Sequence, residues 1–466
     1  MPYDKYHNRQ YYKKNESVNL HNIIFICALW RDICKKQFMH IRKLVTAVSL
    51  LFSAGMIYMS ALPQSRVISN TVYDSRVKTV LLHSESWNLS GPVLEMDSGQ
   101  KLMLSFDLHG TTAENLWYSF IHCNKDWEPS GLFVSDFIDG FDENQIETYT
   151  RSFNTTVKYV HYVLSFPNEN IRFNISGNYI ILIHKPGEPG QPLLACRFMV
   201  TEKLAAVKAS VRRADMGEFR ETHQQLEVSV SISGARVADP RNEIFTSVLQ
   251  NGRWDNAKTN LKADFVTPSE LRYTSLGTGN LFYGGNEFRQ FDIRSFRYQS
   301  EFVRDVTYDG SINHINLTPS ENREFKPYFY RPDFNGKYVV GVQEGVNPSI
   351  DADYAMVYFT LPATLKIEGG NIHIAGEFTR WTPLPENLMR YNYETRQYEG
   401  ALMLKQGWYN YEYLFVPGGQ AVNERRWFEG SHYETENEYL VLVYYRARNS
   451  RYDRLIGTVL VRTQAG

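Results

Sequence analysis

The stretch Leu102-Met-Leu-Ser-Phe-Asp-Leu108 decides the fold class, because Leu102, Leu104, Phe106 and Leu108 alternate with Met103, Ser105 and Asp107. A side-chain period of two belongs to a β-strand with one face in a core and the other toward water. The same alternation returns in Leu226, Val228, Val230 and Ile232 against Glu227, Ser229 and Ser231. It returns again in Tyr409, Tyr411, Tyr413 and Phe415 against Asn410, Glu412 and Leu414. Turn-formers separate such runs, as in Pro186-Gly-Glu-Pro-Gly-Gln-Pro192, and no long stretch carries a helical period. The chain therefore reads as all-β, a tandem array of antiparallel β-sandwiches. Its 31 Tyr, 27 Phe and 8 Trp agree, since aromatic side chains suit a pleated, half-buried surface.

At 466 residues the chain has length for about three domains. The spacing of strands and turns predicts an N-terminal β-sandwich over 71–201, a central one over 202–361 and a C-terminal one over 362–466. The polar segment Lys203 to Arg220 opens the second block, and the third begins near Pro362 with Ile367-Glu-Gly-Gly-Asn371. Ahead of them, residues 39–63 read as a secretory signal peptide. Met39, His40, Arg42 and Lys43 precede the apolar run Leu44 to Ala61, with cleavage expected near Ala61. An uncleaved anchor helix is the rival reading, which a run of about 18 residues would just permit. No Cys follows the run, so a lipid anchor is not expected. Residues 1–38 are polar and hold only a short apolar patch, Ile23 to Trp30, so they read as a doubtful leader with Met39 the expected start.

Net charge is −1, but the first 63 residues hold nine Lys and Arg against three Asp and Glu, leaving 41 basic and 48 acidic residues in the body. An acidic body without a basic cluster lacks the electrostatic footprint of a nucleic-acid or anionic-membrane binder. Neither partner is expected, nor insertion of the mature chain into a membrane.

Catalytic motifs are missing from the sequence: it has no GxSxG, HExxH, P-loop or strand-to-helix GxGxxG. Gly277-Thr-Gly279 and Gly284-Gly285 lie among strands and read as turns. His122 and Cys123 are neighbours in a strand, so they point to opposite faces and cannot share a proton. Asp136, Asp139, Asp142 and Glu143 read as a solvated loop. Asp333-Phe-Asn-Gly336 and Asp351-Ala-Asp353 lack the spaced ligands of a calcium loop, and Asn335-Gly336 reads as a turn. In Asn286 to Tyr298 the expectation is an Asp292–Arg294 or cross-strand charge set on one face and packed rings on the other. No catalysis, metal or cofactor is expected.

Export permits a disulfide between Cys123 and Cys196; two buried free thiols are the other reading. In the third block, Ile372-His-Ile-Ala-Gly-Glu-Phe-Thr-Arg-Trp381 and Gly407-Trp-Tyr-Asn-Tyr-Glu-Tyr-Leu-Phe415 resemble the early-set, immunoglobulin-like sandwich of glycogen-binding modules. That resemblance makes Trp381 a sugar-stacking candidate, although the second platform Trp has no clear match. Hence the alternative of a periplasmic or surface glycan-binding protein.

Taken together, Phe166-Pro-Asn-Glu-Asn170, Ser176-Gly-Asn-Tyr-Ile-Ile-Leu-Ile183, Gly285-Asn-Glu-Phe-Arg-Gln-Phe-Asp-Ile-Arg-Ser-Phe-Arg-Tyr298 and Asn335-Gly-Lys-Tyr-Val339 resemble the plug protein of the bacterial type IX secretion system. The resemblance runs from about Thr71 to the C-terminus. It implies a non-catalytic periplasmic protein, associated with the inner side of the outer membrane. Its partner would be the SprA/Sov-type β-barrel translocon, whose periplasmic opening it would plug when no cargo passes. The family departs from this chain at Cys196, where a basic or polar residue is expected.

Overall fold

Three sandwiches arise from the alternating runs, and a computed structural model describes them over residues 69–274, 278–418 and 426–463. The leader and signal-peptide expectations lie outside these residues. The described residues fall within one compact unit, Arg66–Gly466.

In the first sandwich, one sheet orders Val77–Ser84, Leu102–His109, Tyr159–Phe166 and Thr148–Arg151. The facing sheet orders Thr71–Val72, Leu194–Thr201, Gly177–His184, Trp117–Cys123 and Glu143–Gln145. Between them Phe120 meets Phe166, Phe173 and Phe198 edge-on, with centroids 5.3–5.7 Å apart, the arrangement aromatic quadrupoles favour. The second sandwich packs Ala206–Arg213, His223–Ser231, Glu270–Tyr273 and Phe265–Val266 against Lys258–Leu261, Ile244–Gln250, Glu438–Tyr445 and Arg454–Arg462. Leu226, Val228, Val230 and Ile232 are buried in its core with Val441 and Val443, while Glu227, Ser229 and Ser231 are only partly covered.

The third sandwich is an insertion. Its strands run from Arg289–Asp292 to Gly407–Pro417, after which the chain returns to the second sandwich, where Val248 pairs with Val441. The expected division at 361/362 therefore separates strands that pair, and the expected C-terminal block supplies half of a sheet in the middle sandwich. Contiguity in sequence groups neighbours, whereas this pairing closes a loop of almost 190 residues.

The wet second face expected for two of the three alternating strands is not observed. Asp107 is 0% exposed and Ser105 is buried, as are Asn410, Glu412 and Leu414. Each of these faces meets another sandwich, and the carboxylates among them have cations there. Asp107 accepts from Lys405 Nζ at 2.7 Å and from the Tyr354 hydroxyl at 2.7 Å, with His161 Nδ1 at 2.6 Å from its other oxygen. Lys405 also donates to the Ser349 carbonyl and stands 4.1 Å above the Tyr159 ring. This joins the first sandwich to the third. Glu412 accepts from Arg253, whose guanidinium also donates to Asp255 at 2.9 Å, joining the third to the second. Lys337 and Glu438 make a further buried pair at 2.5 Å across the same junction. The first and second sandwiches meet through a buried apolar cluster of Cys123, Trp127, Ile180, Leu249, Leu442 and Tyr444. There Trp127 and Trp254 pack edge to face at 4.9 Å under the Arg197 guanidinium.

Removing one partner of a buried ion pair leaves an uncompensated charge, which costs about 3–5 kcal/mol. Lys405→Met should therefore lower unfolding free energy by about that much in urea denaturation, and Asp107→Leu combined with Lys405→Met should recover most of it. A single-variant loss under about 1 kcal/mol would contradict this role for the pair.

Candidate functional site

Of the two readings left open for the thiols, a disulfide or two buried free cysteines, the structure has the second. Cys123 and Cys196 are free and buried, on strands that flank Gly177–His184 on either side. Cys123 stands opposite Asn178 and belongs to the cluster between sandwiches, while Cys196 stands opposite Ile181 in the first core. A whole strand and the thickness of the sheet separate them, so no disulfide links them. Burial pushes both thiols up to about 12, which leaves them protonated and unreactive at neutral pH.

His122 bonds Ser130 and the Ser176 carbonyl rather than Cys123. Asp136 accepts from the Phe133 amide at the start of a single helical turn, and Asp139 pairs with exposed Arg172. Asp353 caps the Thr156 and Val157 amides, and Asp351 those of Val346 and Asn347. Among the described residues no group of three or more His, Cys, Asp or Glu is placed to hold a metal ion. No helix among them is long and apolar enough to cross a membrane. In the Arg289–Tyr298 segment, Arg294 pairs with Asp292 at 2.6 Å and Phe291 stacks on Tyr409 at 5.1 Å, the charge-and-ring division expected.

Trp381 is held at the junction of the second and third sandwiches. Arg380 and Trp381 both take left-handed backbone angles, φ +54° and +55°. The Arg253 guanidinium lies 4.0 Å over the indole, and a Cβ on Gly336 would come within 2.4 Å of the ring. Gly336 is thus required twice, by this approach and by its φ of +81° in the turn after Asn335. Sugar stacking needs a bare ring face, and here a cation occupies one.

Two other features could meet a partner. The first is a cavity of about 600 Å³ bounded by all three sandwiches and lined by Leu82, Trp87, Leu249, Lys337, Glu377, Arg380, Trp381 and Leu460, among others. Burial pushes Glu377 up to about 7, against the pull of Lys337.

The second is the irregular segment between strands Asn313–Leu317 and Tyr338–Val340. Buried polar groups pin its base. Arg323 donates to Glu429 and to the Glu287 carbonyl, Tyr328 donates to Glu287, and Asp333 accepts from the Phe288 and Asn335 amides. Burial opposes ionisation of Glu429, but Arg289 and Arg323 outweigh it and hold the carboxyl down at about 2. Desolvation pushes Asp333 up to about 7. From this fixed base the segment shows Phe325 at 90% exposure and Phe329 at 73%. Phe302 and Phe329 border a recess of about 470 Å³ above Arg289 and Arg323. Periodicity cannot find such a surface. The available signal was four aromatics, Phe325, Tyr328, Phe329 and Tyr330, in a stretch with two prolines, Pro327 and Pro332, and no alternation.

Residues 77–202, the bulk of the first sandwich, match the family model described as type 9 secretion system plug protein 1st domain. The chain belongs to the type IX secretion plug family. It is also similar to the crystal structure of a hypothetical protein from Parabacteroides merdae. That match has 31% identity and a TM-score of 0.82, covering 85% of this chain and all of the other. No curated protein matches it. Membership assigns the protein a role in type IX secretion, and with it a place in the cell envelope.

Glu377 links the cavity to stability. Its pKa is higher folded than unfolded, so its contribution is full below about 4.5 and is lost as pH rises through about 7. Glu377→Gln should flatten the decline in unfolding free energy between those pH values by up to about 3 kcal/mol. An unchanged pH slope would show that Glu377 does not carry it.

Proposed function

We propose that this protein is a non-catalytic periplasmic component that binds the SprA/Sov-type outer-membrane β-barrel translocon and closes its periplasmic opening when no cargo is passing. The observation that carries this reading is the family match over the first sandwich. The geometry supports it in two ways. Closing a wide aqueous pore requires a body that does not deform, and three sandwiches joined by buried ion pairs make one. It also requires a contact surface, and large exposed aromatics on a pinned backbone supply area at low entropic cost, as interface anchors do.

Export would follow from residues 39–63. The pore-facing contact assigned by this reading is the segment bearing Phe325 and Phe329, with Phe302 beside it. Occlusion must be strong enough to prevent leakage and weak enough for cargo to displace the plug. Opening is then a shift between two bound populations set by their relative affinities.

Phe325→Glu with Phe329→Glu tests the surface, since both side chains are exposed and the fold should be unaffected. C-terminally tagged protein expressed at native level should co-purify a giant β-barrel from detergent-solubilised outer membrane. The double variant should recover about tenfold less, at unchanged melting temperature. Equal recovery would place the contact elsewhere, and no barrel with the unaltered protein would remove the reading.

A further inference from the structure

The cavity between the three sandwiches has a feature that plugging does not use. Several of its charged lining groups are in ion pairs, whereas Glu377 and Arg380 make none among the described residues. Lys337 has Glu438, and Asp255 has Arg253. The polar rim is engaged too: Asn70 accepts from the Arg197 amide, Ser90 from the Ser84 amide, and Asn251 bonds Asn437. Arg380 differs. Its Nε is buried without a hydrogen bond, and among the described residues no carboxylate lies within ion-pair distance of its guanidinium. Burial pulls its pKa down, and Cys196, Tyr338 and Glu386 only partly oppose the fall.

A half-buried guanidinium without an anion is costly, and the backbone accepts a left-handed residue to place it there. Much of the wall is apolar, formed by Leu82, Leu89, Met199, Leu249, Leu440 and Leu460, and Trp87, 45% exposed, also lines the cavity. A volume of about 600 Å³ with largely apolar walls and a few convergent polar and charged groups is what small-molecule sites present.

We infer that this cavity binds a single-headed amphipathic acid, its carboxylate or phosphate on the Arg380 guanidinium and its acyl body against the leucine wall. Planar oxyanions match the guanidinium fork in two parallel hydrogen bonds, and an acyl chain asks for no further polar partner. A peptide would bring a series of backbone amides, each needing a partner that a largely apolar wall is ill suited to supply. A fatty acid and the acidic headgroup of a lipid share this chemistry. This inference is independent of translocon binding.

Dodecanoate below its micellar concentration is the probe, with dodecanol as the uncharged control, titrated calorimetrically into the exported chain. Dodecanoate should bind, and dodecanol about tenfold more weakly or not at all. Arg380→Gln should weaken dodecanoate about tenfold at equal or higher melting temperature, and Arg380→Lys should restore part of it. Leu249→Trp, which adds bulk to the cavity lining, should abolish binding of both. Native mass spectrometry of protein purified from its own envelope assigns the source, a fatty-acid mass or a glycerophospholipid mass each supporting the inference. No uptake of dodecanoate by the unaltered protein overturns it, as does equal binding by Arg380→Gln or equal affinity for dodecanol.

Discussion

The contact between Asp107 and Lys405 sets the terms for the rest of the molecule. Both side chains are essentially inaccessible to water, and 298 residues of chain separate them. An ion pair in such a place adds little net stability over a well-packed apolar pair, but it tolerates no other partner, because either charge left alone is far costlier. Its consequence is geometric. The first and third sandwiches fit with Lys405 against Asp107, Tyr354 and Tyr159, and a shifted arrangement would strand a charge. Arg253 with Glu412 and Lys337 with Glu438 impose the same condition between the second and third sandwiches. Three domains that could swing on linkers become one body.

That constraint also explains what was legible in the sequence. Alternation identifies strands wherever one face meets a core, and at Leu226 to Ile232 it predicts the solvent face as well, since that sheet's second face stays partly open. At Leu102 to Leu108 and Tyr409 to Phe415 the same pattern identifies the strand but not the fate of Asp107 and Glu412. A carboxylate facing water and one facing a lysine of another domain look alike in one strand. Sheet order was hidden for a similar reason. Cys123 and Cys196 sit in recognisable strands, yet only the intervening Gly177–His184 shows that they cannot meet. The return of Glu438–Tyr445 to the second sandwich is equally a matter of long-range pairing.

The candidate contact surface was invisible to periodicity because it has none. Phe325 and Phe329 are displayed by a segment whose conformation comes from Arg323, Glu429, Tyr328 and Asp333 rather than from a ladder of backbone bonds. Trp381 shows the converse. It occupies a position suggestive of sugar stacking, but Arg253, more than a hundred residues earlier, lies over its ring. The residues that form the junction cavity come from all three sandwiches, so no local pattern could assemble them.

The proposed role in occlusion asks for a body that does not deform and an exposed edge to meet its partner, and the joined sandwiches with Phe325 and Phe329 offer both. The most direct measurement is outer-membrane permeability to a large hydrophilic probe, in cells lacking this gene and in which cargo loading onto the secretion system is blocked. Occlusion predicts a marked rise in probe entry that the intact gene reverses. Permeability equal to that of cells retaining the gene would contradict it.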